Sequence, residues 1–226
     1  MPTILLVRHA QASFGSADYD VLSEVGHEQT QLLTAALARR DLNVTRVVAG
    51  SARRQQDTAA PCAAERGIEV EVDPRWNEYE TEEVLRYHAQ EEVSLDGTGS
   101  SGEEITSRQF QGVLDGALDD WVTSGAATTA SQSWPAFLES RAAALAELAT
   151  RLESGETAVV FTSGGVIAAL GATLLGGHAD LFPALNRVLV NTGITKLAVG
   201  RAGTSLVTFN EHAHLDEGDS KLLTYR

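Results

Sequence analysis

Residues 3–15 read TILLVRHAQASFG. Ile4, Leu5, Leu6 and Val7 are apolar on both strand parities, so this strand has no polar face to turn to water. A strand covered on both faces belongs to a parallel sheet flanked by helices. Arg8 and His9 follow directly, at the strand's carboxyl end. That end is where an open α/β sheet binds its ligands. The stretch VVFTSGG at 159–165 has the same apolar-then-turn shape, with a serine and two glycines and no histidine.

Outward from these stretches the chain alternates strand and helix. SEVGHEQTQLLTAALARR (23–40) repeats Leu32, Leu33, Ala36 and Leu37 at helical spacing, with Ser23 as its N-cap. VTRVVAG (44–50) is a second buried strand. RRQQDTAAPCAAERG (53–67) is a helix ending at Gly67, with a kink or early break expected at Pro61. IEVEVDP (68–74) alternates as a strand. FLESRAAALAELATRLESG (137–155) is a helix, ETAVVFTSGG (156–165) a buried strand, and VIAALGATLLGG (166–177) the helix after it. NTGITKLAVGRAGTSLVTFNEH (191–212) reads as a closing hairpin at a sheet edge. The fold class is α/β: a three-layer α/β/α sandwich with a mostly parallel central sheet. It forms one domain over 1–226.

Residues 80–135 differ from the rest. They are acidic and rich in Gly, Ser and Thr, with SLDGTGSSGEE (94–104) and TSGAATTASQS (123–133) as flexible stretches. Between them SRQFQGVLDGALDDWV is amphipathic. The segment reads as a small capping insertion at the end of the sheet, either plain loops or a lid over a site.

Composition narrows the function. Net charge is −14, which argues against nucleic acid and anionic membrane as partners. No apolar run approaches the roughly 18 residues that cross a bilayer, and the N-terminus lacks the pattern of a signal peptide. A single cysteine, Cys62, sits among alanines in a helical pattern and reads as a buried structural thiol. A cytoplasmic location is expected. A small anionic substrate meets a repelling field, though salt screens it beyond about 8 Å. Its site must therefore be a local island of arginines and backbone N–H groups. Three strand ends supply one. Arg8 and His9 follow the first strand, Arg53 and Arg54 the second, and Ser163, Gly164 and Gly165 open a helix after the fourth. Helix N-termini and guanidinium forks both hold phosphate or carboxylate.

At this point the residues resemble a family, the histidine phosphatase superfamily, also called phosphoglycerate mutase-like. LLVRHAQ (5–11) is similar to its strand-end Arg-His-Gly motif, with Ala10 for glycine. LSEVGHEQ (22–29) resembles its first-helix spacing. SARRQQDTA (51–59) resembles its second arginine motif, and counting back from Thr58-Ala59 selects Arg54, with Arg53 as fallback. RWNEYE (75–80) resembles the segment carrying the acid/base glutamate, which falls on Glu78; Glu80 and Glu82 compete. VVFTSGGVI (159–167) aligns with a segment that usually reads Val-x-x-His-Gly-Gly, and VNTGITKL (190–197) resembles the late strand.

The resemblance implies a metal-independent phosphomonoesterase without cofactor. His9 attacks the phosphoryl group and becomes phosphohistidine. Arg8 and Arg54 neutralise its oxygens, and Glu78 passes the proton. Gln11, Ser163 and Gly164 join Arg8 and Arg54 in binding phosphate, and Ser13, Arg75, Tyr79 and Tyr87 are candidates for the site or its mouth. The partner is a small phosphorylated substrate or anion; a homodimer through the late edge strand is open to the chain, though no residue demands one.

The departure is Ser163, which stands where the family has a second histidine. Serine donates one neutral hydrogen bond and adds no charge. Losing such an electrostatic donor costs on the order of 10²- to 10³-fold in rate. The chain is then a phosphatase of weak or narrow activity, with His212 or His214 as candidates to restore the charge. Alternatively it is a binding module for a phosphate or carboxylate ligand. A mutase must retain its phosphoenzyme and is hurt more by the missing charge. An oxidoreductase lacks its Gly-x-Gly-x-x-Gly turn here.

Overall fold

The structure, a computed structural model, describes residues 1–13, 20–89, 106–177, 179–216 and 220–225. The chain divides into two compact units, Met1–Asn77 with Ala143–Arg226, and Glu78–Ala142.

The first unit runs β1 (Thr3–Arg8), α1 (Glu24–Ala38), β2 (Asn43–Ala49), α2 (Arg53–Arg66) and β3 (Val70–Val72). The second holds α3 (Thr81–His88), α4 (Ser107–Ser124) and the start of α5 (Trp134–Thr150). The chain then returns to the first unit with β4 (Glu156–Thr162), α6 (Gly164–Leu174), α7 (Leu181–Val188), β5 (Ile194–Gly200) and β6 (Gly203–Glu211).

The six strands order as β3-β2-β4-β1-β5-β6. The first four are mutually parallel. β5 runs antiparallel to β1, and β6 closes a hairpin on β5. The sheet is thus mostly parallel, with the hairpin at its edge that the sequence predicts.

Strand alternation builds the layers. Leu5, Val7, Val47, Ala49, Val159 and Phe161 pack against Leu33 and Leu37 of α1 and Ala59, Cys62 and Ala63 of α2. Ile4, Leu6, Val48 and Val160 are equally buried and point the other way, to the face that α6 covers. Each such side chain removed from water stabilises the fold by about 1.5–3 kcal/mol. Cys62 is fully buried, and burial pushes its thiol pKa up.

Ser23 caps α1 by accepting from the Gly26 N–H at 3.0 Å. Gly67 ends α2 in the left-handed region, at φ 63°. The early break expected at Pro61 does not occur, and α2 continues through it to Arg66. Pro61 is solvent-exposed, so its ring lies on the outer side of the helix and not in the core. Helix α5 stops at Thr150, before Gly155, which takes φ 87° in the turn into β4.

The second unit has its own aromatic core. Trp121 lies 5.6 Å from Tyr79, 5.5 Å from Trp134 and 5.5 Å from Phe137, centroid to centroid. The amphipathic reading of 107–122 holds: α4 buries Phe110, Leu114, Ala117, Leu118 and Trp121 at helical spacing. His88 joins α3 to α4 and the next loop, 2.6 Å from Asp120 through Nδ1 and 2.6 Å from Thr128 through Nε2. The SLDGTGSSGEE stretch lies outside the described residues, while TSGAATTASQS holds the end of α4 and a 3₁₀ turn over Gly125–Ala127. No helix among the described residues is long and apolar enough to cross a membrane.

Candidate active site

Strand register brings the candidate residues level. Arg8 pairs with Thr162 across β1 and β4, and Ala49 pairs with Phe161 across β2 and β4. The ladder runs one step past each strand. The His9 N–H donates to Thr162 O at 2.8 Å, and the Gly50 N–H to Phe161 O at 3.2 Å. The turns that follow β1, β2 and β4 therefore leave the sheet side by side.

His9 is 7% exposed and held on every side. Asn191 Nδ2 donates to its carbonyl at 2.9 Å. Its Nδ1 lies 2.8 Å from Ala10 O, an acceptor only, so Nδ1 carries the ring proton. The lone pair is left on Nε2, and Arg54 Nε donates to it at 3.3 Å. Burial first, then the charges of Arg54 and Arg8, hold the His9 pKa well below the usual imidazole range. The ring is thus neutral at neutral pH, with a defined tautomer.

Arg54 stands in the first turn of α2. Its Nη1 donates to Asp20 Oδ1 at 2.6 Å. The same carboxylate accepts from the Arg53 N–H at 2.7 Å and the Arg54 N–H at 3.4 Å, doing for α2 what Ala52 at the N-cap cannot. Thr58 Oγ1 donates to Arg54 O and accepts from the Ala10 N–H, tying α2 to the turn after β1. Arg53 points elsewhere: its guanidinium is largely exposed and pairs with Asp57 at 3.5 Å. Of the two alternatives, Arg54 is the one that reaches His9.

Arg8 is 8% exposed, and its Nη1 donates to Leu189 O. Gly164 lies against it; a Cβ added there would sit 3.5 Å from Arg8 Nε. Thr192 braces the Arg8 backbone by donating its N–H to Arg8 O at 3.0 Å. Thr192 does so at φ 61°, a conformation that costs a β-branched residue about 1–3 kcal/mol. The bonds around it, including Oγ1 to Asn191 O at 2.7 Å, hold it there.

Ser163 is fully buried, and its Oγ accepts from Gln55 Nε2 at 2.8 Å. Gln11 is partly buried; its Oε1 accepts from Ser23 Oγ at 2.7 Å and its N–H donates to Gln29 Oε1 at 2.9 Å. Ser13 donates its N–H to Val21 O.

The other expected residues have settings of their own. Arg75 is paired with Asp73 at 2.6 Å and Glu147 at 2.8 Å. It lines a depression of about 240 Å³ together with Val48, Glu71, Trp76 and Arg151, and none of Arg8, His9 and Arg54 lines it. Tyr79 is a core residue of the second unit, 4% exposed, because its ring packs against Trp121 and Phe137. Tyr87 is exposed. Glu78 opens the second unit, half-buried, and accepts from the Tyr79 N–H at 3.3 Å. Its carboxylate faces the charge of Arg141, whose guanidinium lies 3.8 Å over the Phe137 ring and which burial draws down to about 10. Glu80 and Glu82 are exposed.

His214 does not restore a charge. Its Nε2 lies 3.0 Å from Thr192 Oγ1, and burial, helped by Arg40, pushes its pKa down to about 4. It is uncharged near neutrality. His212 Nδ1 lies 2.6 Å from Asn210 O. The depressed His214 pKa has a consequence for stability. Above the free value of 6.5 the ring is neutral in both folded and unfolded chains. Below it the unfolded chain takes up a proton that the folded chain refuses, so stability falls with falling pH. Allowing for partial exposure, the loss is about 1 kcal/mol by about pH 5. His214→Gln should flatten the wild-type fall in Tm between pH 7 and 5 by about 2–4 °C in calorimetry. An unchanged slope contradicts the assignment.

The family model described as histidine phosphatase superfamily (branch 1) matches residues 4–108 and 102–212. Comparison with curated protein sequences returned no match. Among solved structures, a phosphoserine phosphatase from Entamoeba histolytica superposes with TM-score 0.68 at 18% identity, covering 95% of this chain and 100% of that one. A mycobacterial glucosyl-3-phosphoglycerate phosphatase gives 0.63 at 23%, covering 92% and 98%. The alpha-ribazole phosphatase from Shigella flexneri gives 0.62 at 18%, covering 92% and 96%. At these identities the likeness is one of fold.

Proposed function

This chain belongs to branch 1 of the histidine phosphatase superfamily, and from that premise we propose that it hydrolyses small phosphomonoesters through a phosphohistidine on His9. The observation that carries the reading is the resting contact of Arg54 Nε with His9 Nε2, with Nδ1 committed to Ala10 O. It aims a neutral lone pair at the place where a guanidinium waits for an anion. The three structures named above bear the names of phosphatases, and the mycobacterial enzyme has been solved with VO3 and with inorganic phosphate.

In this reading the arriving phosphoryl group takes Arg54 and Arg8, and Nε2 attacks phosphorus in line. The P–N bond forms as the P–O bond to the leaving group breaks, and Glu78 supplies the proton that the leaving oxygen needs. Water then attacks phosphorus, Glu78 takes its proton, and the P–N bond breaks. Gln11, Ser163 and Gly164 complete the cradle. Little else is required of the protein, since phosphoryl transfer is helped chiefly by positioning and positive charge. Ser163 lends a neutral hydrogen bond only, so turnover is slow or confined to a well-fitted ester. The residues used need no metal and no cofactor, and we place the protein in the cytoplasm, acting on a small phosphorylated metabolite.

A second reading has one observation in its favour: position 163 is uncharged, and His214 is neutral where it stands. The chain then binds a phosphorylated or carboxylated ligand without turning it over. Hydrolysis of p-nitrophenyl phosphate by the purified protein separates the two. Turnover supports the phosphatase; its absence from acid to neutral pH, alongside retained phosphate binding, supports the binding module.

A further inference from the structure

We infer that Gln55 is a positioning residue that directs the Ser163 hydroxyl proton toward the anion site and fills the space that a larger side chain at 163 would need. The inference rests on the phosphatase reading of that site.

Gln55 follows Arg54 in the first turn of α2 and is fully buried. Its Nε2 donates to Ser163 Oγ at 2.8 Å and to Trp76 O at 3.2 Å. Its Oε1 accepts from the Ala52 N–H at 3.3 Å. These partners fix which way the amide faces. Trp76 O can only accept and the Ala52 N–H can only donate, so a flipped amide sets oxygen against oxygen and N–H against N–H. Both Nε2 protons are therefore committed, one of them to Ser163. Ser163 Oγ must accept there, and its own proton cannot point at Gln55.

Ser163 is the N-cap residue of α6, where a serine usually accepts from its own helix. It makes no such bond, and Gln55 supplies its donor instead. The neighbours on either side locate it: Thr162 O receives the His9 N–H, and Gly164 lies against Arg8. Among the described residues the Ser163 hydroxyl proton has no protein acceptor in these bonds. A tetrahedral anion between Arg8, His9 and Arg54 is the acceptor that the site offers.

Gly50 shows how much room Gln55 takes. A Cβ at Gly50 would stand 2.0 Å from Gln55 Oε1 and 2.6 Å from Asn77 Oδ1. The turn after β2 accommodates the amide only because residue 50 has no side chain. Two consequences follow. The amide and the hydroxyl act as one unit, so their substitutions should not be additive. A histidine at 163 meets Gln55, so that charge cannot be restored by changing residue 163 alone.

The test uses Gln55→Met, which keeps the volume and removes the amide, in the wild-type and Ser163→Ala proteins. It also compares Ser163→His alone with Ser163→His plus Gln55→Ala. Steady-state hydrolysis of p-nitrophenyl phosphate, orthovanadate affinity and Tm are measured for each. Gln55→Met should lower kcat about tenfold with KM within about twofold in the wild-type protein, and change kcat less than about twofold in Ser163→Ala. Ser163→His alone should give no gain, whereas adding Gln55→Ala should raise its kcat at least about tenfold. Equal losses of kcat in both backgrounds, or a fall in Tm with kcat untouched, make Gln55 a core filler and overturn the inference. If the wild-type protein turns nothing over, the phosphatase reading fails, and vanadate affinity across the same proteins decides the role of Gln55 by the same pattern. A wild-type protein that neither turns over nor binds vanadate overturns both.

Discussion

His9→Ala is expected to lose phosphomonoester hydrolysis by on the order of 10⁴-fold or more while remaining folded. The size of the loss follows from the role: without the imidazole no covalent intermediate forms, and the arginines alone can only bind. The fold should survive because the variant keeps the main-chain bonds of residue 9, its N–H to Thr162 O and its carbonyl to Asn191, and loses only the ring's bonds to Ala10 O and Arg54. Nor is a favourable charge removed. The depressed pKa of His9 means that the folded protein resists the protonated ring. Above pH 6.5 the change of charge state costs nothing, and below it the alanine variant gains stability relative to wild type. Turnover of p-nitrophenyl phosphate and a melting curve on one sample check both halves. Residual activity within about tenfold of wild type removes His9 from the mechanism.

Arg54→Met should cost on the order of 10²- to 10³-fold in kcat/KM. It removes a guanidinium from the proposed anion site and leaves the Asp20 carboxylate without its partner at 2.6 Å. Arg54→Lys should recover only part of the loss, because an ammonium restores charge without the planar fork. The pH dependence separates this role from a general loss of structure. Arg54 is the larger of the two charges that lower the His9 pKa, after burial. Without it that pKa rises, so the acid limb of kcat/KM moves to higher pH in Arg54→Met. Loss of rate with an unmoved limb points to disrupted packing instead.

The two buried strands were legible because both faces of TILLV and TAVVF are apolar, a pattern that leaves few other homes. Ser23, Gly67 and Cys62 were legible for similarly local reasons. Arg54 could be chosen over Arg53 only by its spacing from Thr58, and the structure shows the reason in the Thr58 hydroxyl, which ties the Arg54 turn to Ala10. What escaped the sequence is long-range and side-chain borne. Asp20 meets Arg54 across 34 residues, Gln55 meets Ser163 across 108, and Asn191 meets His9 across 182. No periodicity encodes such pairs. The alanine at the N-cap of α2 left a faint signal that another acceptor must serve its first N–H groups, without pointing to Asp20. Gln55 left another, a long amide directly beside a site arginine. Tyr79, a candidate for the mouth in the sequence, instead fills the core of residues 78–142 with its ring. Pro61 misled because its cost depends on exposure, which the sequence does not display.

The most direct measurement is to quench the protein during turnover of a radiolabelled phosphomonoester and locate any phosphoryl group by peptide mapping and ³¹P NMR. The ring tautomer predicts an acid-labile, alkali-stable phosphoramidate on Nε2 of His9, absent from His9→Ala. Label on another residue or on Nδ1, or steady turnover with no label on the protein at any quench time, contradicts the account.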